Sequence, residues 1–135
     1  MFGDIVNRGK EKVLEYRFNS KLRQFPEHNR PPAEVEQTAL SLAKYAREHD
    51  FEVQLSSMIV SNDPVKVEFW IDKERWYAKL EIINPRQVRV LIHYLDRKSE
   101  YYYNEPVDVS TVYGLLSDPK MRMDAIEYDE QSGEN

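Results

Sequence analysis

The sequence predicts an α+β domain: a four- or five-stranded antiparallel meander sheet with helices packed mainly on one face. Three observations carry that reading. Residues 65 to 82 fold back about Asp72, Lys73, Glu74 and Arg75 so that apolar residues meet apolar ones and polar residues meet polar ones. The same alternation continues through Val88, Val90, Ile92 and Tyr94. Segments with apolar residues every three or four positions precede and follow the strands, as helices lying on a sheet require.

The first helix is expected from Lys10 to Phe25, where Leu14, Phe18, Leu22 and Phe25 fall on one stripe and Pro26 stops it. A connector holding Pro31 and Pro32 leads into a second helix reaching His49, with Val35, Ala39, Leu42, Ala46 and His49 on one side. Ala39, Ala43 and Ala46 are small enough for close approach to a sheet. A strand follows in which Phe51, Val53, Leu55 and Ile59 point one way and Glu52, Gln54 and Ser56 the other, ended by turn residues Ser61 to Pro64.

The central hairpin is read with Ile71 facing Trp76, Phe69 facing Ala78, Val67 facing Leu80 and Val65 facing Ile82. On its other side Trp70 faces Tyr77, Glu68 faces Lys79 and Lys66 faces Glu81. A one-residue slip sets apolar against charged, which specifies the buried face. Beyond Asn84 and Pro85, Ile82 faces Val88, Leu80 faces Val90, Ala78 faces Ile92, Trp76 faces Tyr94 and Glu81 faces Arg89. A short strand at Tyr101 to Tyr103 extends the sheet. Pro106 and Asp108 open a short helix through Val112, Leu115 and Leu116, ended by Asp118 and Pro119.

Residues 1–128 read as one globular domain and residues 129–135 as a disordered acidic C-terminal tail. About a quarter of the chain is Leu, Ile, Val or Phe, enough to fold despite a mean hydropathy of -0.73. No apolar run approaches a membrane span and no secretory signal is read, so a cytoplasmic protein without membrane contact is expected. The net charge of -5 is unevenly spread: residues 1–31 hold seven bases against four acids, which leaves the remainder strongly acidic.

The sequence supplies no motif for catalysis. Ser56, Ser57, Ser110 and Thr111 lack an elbow glycine, no glycine-rich loop precedes a helix, and the absence of cysteine removes thiolate chemistry. His28, His49 and His93 show no zinc spacing, so neither a metal nor another cofactor is expected. The order of helix and meander, with Asp63 beside Pro64 and Lys79 on a later strand, resembles the core of restriction-type nucleases. That chemistry needs an acid two positions before the lysine, where Tyr77 stands.

What remains are contact residues. The inferred register lays Lys66, Glu81 and Arg89 in one row on the polar face, Glu68, Lys79 and Leu91 in the next, and Trp70, Tyr77 and His93 in the last, with Gln54 beside it. An aromatic row on a charged face suits a protein partner's side chain or a stacked base, unless the apolar stripe of the first helix covers it. Lys10, Arg17 and Lys21 form a separate basic stripe. The reading is a non-enzymatic protein-binding module, an inhibitor or regulator of a larger machine. The alternative, a single-stranded nucleic-acid binder using Trp70, Tyr77, His93 and the helix bases, is disfavoured by the acidic body.

Overall fold

In the computed structural model, which describes residues 2–74, 76–94, 99–102 and 105–117, three helices lie on one side of an antiparallel meander. The acidic tail expected at 129–135 falls outside these residues. The sheet runs β1 (Glu52–Asn62), β2 (Val65–Lys73), β3 (Trp76–Asn84), β4 (Gln87–Tyr94) and β5 (Ser99–Tyr102) in chain order, and β6 (Val107–Asp108) pairs the start of β4. This is the expected α+β class.

Helix α1 (Phe2–Arg23) starts eight residues before the expected Lys10, and it buries Leu14, Phe18 and Leu22. Its end is held by Arg30, whose Nε donates to the Phe25 carbonyl at 3.1 Å and whose Nη2 donates to the Arg23 carbonyl at 3.3 Å. A 3-10 turn (Glu27–Asn29) leads to α2 (Ala33–Glu48), which packs Val35, Ala39, Leu42, Ala43 and Ala46 into the core. The three alanines bring this helix close to the strands.

The exit of α2 satisfies its last carbonyls without a glycine. Asp50 takes the left-handed conformation (φ 67°), its N–H donates to the Arg47 carbonyl at 3.1 Å, and the Phe51 N–H returns to Ala46 at 3.0 Å. That is a Schellman arrangement with an aspartate in the usual glycine position. Lys73 adds its ammonium to the His49 carbonyl at 3.0 Å, a cation at the negative end of the helix. His49, expected on the buried stripe, is instead the half-buried cap residue.

Strand β1 departs from simple alternation. Val53 faces Ile71 and Gln54 faces Trp70, but the next pair is Ile59 with Glu68. β1 thus advances five residues while β2 advances two, an odd difference that reverses the faces. Met58 and Val60 are therefore buried, and Ile59, expected inward, is 47% exposed. Ser57 repairs the gap in the ladder: its Oγ accepts from the Trp70 N–H at 3.0 Å and donates to the Gln54 carbonyl. The turn into β2 contains a cis Asp63–Pro64 bond.

The β2–β3 register differs from the expected one by two residues. Phe69 faces Leu80, Ile71 faces Ala78 and Val67 faces Ile82, while Trp70 faces Lys79 and Glu68 faces Glu81. An even slip keeps every residue on its expected side. The loop shortens from four residues to two, with Glu74 at φ 55°, and the ladder takes in Asp72 opposite Tyr77 and Lys73 opposite Trp76 in place of the expected pairs of Val65 and Lys66. Lys73 can then cap α2 and lie 5.3 Å from the Phe51 ring centre.

The β3–β4 register is as expected: Ile82 with Val88, Leu80 with Val90, Ala78 with Ile92, Glu81 with Arg89, and Trp76 with Tyr94. The turn between them is tied to α2 by the Thr38 hydroxyl, which donates to the Pro85 carbonyl at 3.1 Å. β5 begins two residues before the expected Tyr101, and β6 was not anticipated. Asp108 caps α3 (Val109–Ser117), its Oδ1 accepting from the Ser110 N–H at 2.8 Å and hydroxyl at 2.6 Å. These bonds hold the Asp108 carboxyl below its ordinary range. Val112, Leu115 and Leu116 of α3 are buried as expected, and Tyr113 meets Tyr45 of α2 edge to face.

Candidate binding face of the sheet

The helices define which face of the sheet is left to a partner. Phe18 of α1 meets Phe69 edge to face with ring centres 6.3 Å apart, and Phe69 shares the buried side of β2 with Val67 and Ile71. α2 packs over the same side of β1, β2 and β3, and α3 packs on α2. The apolar stripe of α1 is therefore spent on the core rather than on the aromatic row. Among the described residues, no helix lies over the opposite face.

On that outer face the observed register sets Glu52, Asp72, Tyr77 and His93 abreast, then Gln54, Trp70, Lys79 and Leu91, then Ile59, Glu68, Glu81 and Arg89. Trp70 no longer stands directly opposite Tyr77, as expected, but diagonal to it. The rings still meet, because cross-strand diagonals are within the reach of aromatic side chains. Trp70 and Tyr77 have ring centres 5.1 Å apart at 59°, and Tyr77 stacks on His93 at 4.8 Å and 22°. All three are half-buried. Trp70, Tyr77 and His93 thus form one continuous aromatic strip across three strands.

Two groups that bound the strip were not singled out from the sequence. Lys79 lies 6.0 Å from the centre of the Trp70 ring and 3.8 Å from Glu68, so one cation serves an indole face and a glutamate whose side chain is only 11% exposed. Asp72 accepts from the Gln54 side-chain amide at 2.6 Å. Both would have been found by reading a two-residue loop, which puts Asp72 beside Tyr77 and Lys79 beside Trp70.

The basic residues do not join this site. Lys10, Arg17 and Lys21 belong to α1, which packs on the other side of the sheet; Arg17 is exposed and Lys21 half-buried. The outer face around the strip holds Glu52, Glu68, Asp72 and Glu81 against Lys66, Lys79 and Arg89. Such a mixed surface offers hydrogen bonds and ion pairs to a protein but no continuous cationic track for a phosphate backbone. Among the described residues, no three His, Asp or Glu side chains are grouped to hold a metal ion, and no helix is long and apolar enough to cross a membrane.

No protein-family model, curated protein or solved structure matches the chain.

Proposed function

We propose that this chain is a non-enzymatic protein-binding module that meets its partner through the outer face of the sheet, acting in the cytoplasm as a small inhibitor or regulator of a larger assembly. The supporting observation is the strip of Trp70, Tyr77 and His93 on the face opposite the three helices, ringed by charges of both signs. Rigid aromatic side chains in a charged frame are the usual anchors of protein interfaces. They present large contact area at little conformational cost, and here each ring is already fixed against the next.

The test is affinity capture from source-cell lysate with the wild-type chain and with a Tyr77→Arg, Leu91→Glu double variant. Both positions are half-buried on the outer face, so far-UV circular dichroism should verify that the variant folds. One stoichiometric protein recovered by the wild type and lost with the variant supports the reading. Recovery of RNA-associated material alone, abolished by nuclease, contradicts it and favours nucleic acid.

A further inference from the structure

The two edges of the sheet are unlike. Beyond β4 lie two short strands, β5 of four residues and β6 of two. The opposite edge is β1, 11 residues long, and among the described residues no strand pairs its outer side. An edge strand turns alternate N–H and C=O groups outward, and monomeric proteins blunt such an edge with charge, proline, shortness or a bulge. β1 has only the bulge. After Glu52 it holds no charged residue and no proline through Asn62, although β2, β3, β4, β5 and β6 each carry at least one charge.

The bulge between Gln54 and Ile59 interrupts the pairing with β2, but the alternation of faces is unbroken from Ser57 to Ser61. Met58 and Val60 are buried, Ile59 between them is 47% exposed, and Ser57 and Ser61 are half-buried. This pattern reads the same in both directions. In an antiparallel pair of two such segments centred on Ile59, Ile59 faces Ile59, Met58 faces Val60 and Ser57 faces Ser61, so apolar meets apolar and hydroxyl meets hydroxyl. Centring the pair on Val60 sets Met58 against Asn62 and Ile59 against Ser61, and centring it on Met58 sets Val60 against Ser56 and Ile59 against Ser57. Of the three centres, Ile59 alone matches throughout.

We propose that the Ser57 to Ser61 segment of β1 pairs with the same segment of a second copy of this chain, antiparallel about a twofold axis at Ile59, so that the two sheets join into one. The occupant is a second copy because the segment complements itself, and an uncharged edge offers nothing to select a charged peptide or a phosphate backbone. The pairing buries the exposed Ile59 against its own symmetry mate. It lies on the edge of the sheet and does not rest on the function proposed for the outer face.

Sedimentation equilibrium of the full chain over a concentration series should show 16.1 kDa chains associating to a dimer, with no weakening in added salt. Ile59→Lys sets like charges directly opposite each other at an exposed position and should raise the dissociation constant about tenfold or more. Mixing Ile59→Lys with Ile59→Glu should restore association between the two variants, with far-UV circular dichroism verifying that each folds. The chain has no cysteine, so single substitutions read the register. Ile59→Cys should oxidise to a covalent dimer, whereas Glu52→Cys, exposed on the same strand but far from the axis, should not. A single chain at every concentration up to about 100 µM would overturn the proposal and leave the edge to a strand of another protein. A dimer that Ile59→Lys leaves intact, or one that crosslinks equally through positions 52 and 59, would overturn it as well.

Discussion

Ser57 carries the irregular crossing between β1 and β2, and replacing it by alanine tests that role. Its Oγ accepts from the Trp70 N–H at 3.0 Å and donates to the Gln54 carbonyl, where the strand has no regular partner to offer. Ser57→Ala removes both bonds and strands an N–H on β2 beneath the aromatic strip. A deleted partner costs about 1–3 kcal/mol when the group left behind is buried, and Ser57 is half-buried, so the lower part of that range applies, about 1.5 kcal/mol. For a domain of this size that corresponds to a fall in Tm of roughly 5 °C. Equilibrium urea unfolding gives the free energy, and amide exchange at Trp70 gives the local opening. Ser57→Thr, which keeps a hydroxyl, should recover most of the loss. A Ser57→Ala change below about 0.5 kcal/mol, with Trp70 exchange unaltered, would refute the account of the bulge.

Three further outcomes are expected. Asp50→Gly should stabilise the protein by about 0.5–1 kcal/mol in thermal or urea unfolding, because glycine adopts the left-handed conformation at the end of α2 without the steric cost Asp50 bears. Gly9→Ala should add about 1 kcal/mol of helix propensity in open space, seen as amide exchange roughly fivefold slower around residue 9. The Glu48 carboxyl is held above the ordinary glutamate value of 4.5, first by its hydrogen bond to Glu11 and then by burial. Its stabilising contribution is complete at pH values below that ordinary value and is lost as pH rises through the raised one. Glu48→Gln keeps a permanent donor, so in urea unfolding followed upward from pH 4.5 the variant should lose less stability than the wild type.

The error in the β2–β3 register shows how far residue pairing can be read from the chain. Both registers set apolar against apolar, since an even slip preserves the faces. The expected one also gave Glu68 opposite Lys79 and Lys66 opposite Glu81, whereas the observed one places Glu68 opposite Glu81. Solvated cross-strand pairs contribute roughly 0.2–1 kcal/mol each, too little to outweigh the gain from a loop shortened from four residues to two. Lys79 near Glu68, and Arg89 opposite Glu81, relieve the like-charge contact. The β3–β4 register was legible because Asn84 and Pro85 mark the turn sharply and hydrophobic and charge patterns agree there.

Elsewhere the sequence misled for local reasons. The regular stripe of Leu14, Phe18 and Leu22 lies in the second half of α1, so a search for that stripe stops at Lys10 although the helix reaches Phe2. The bulge in β1 is built from serines that resemble ordinary outward strand positions, and β6 is two residues long. At the candidate site the three rings were legible because their face follows from alternation alone. Asp72 and Lys79 were not, because their positions beside the strip depend on the register.

The central claim, that the outer sheet face is the surface that meets a protein partner, is tested most directly by site-specific photo-crosslinking in source cells. A benzophenone amino acid at Leu91 samples the outer face, and one at Gln37, exposed on α2, samples the helical side. The account predicts one discrete protein adduct from position 91 that is absent from position 37 and reduced by Tyr77→Arg. Crosslinks to nucleic acid at position 91, or the same adducts from both positions, would contradict it.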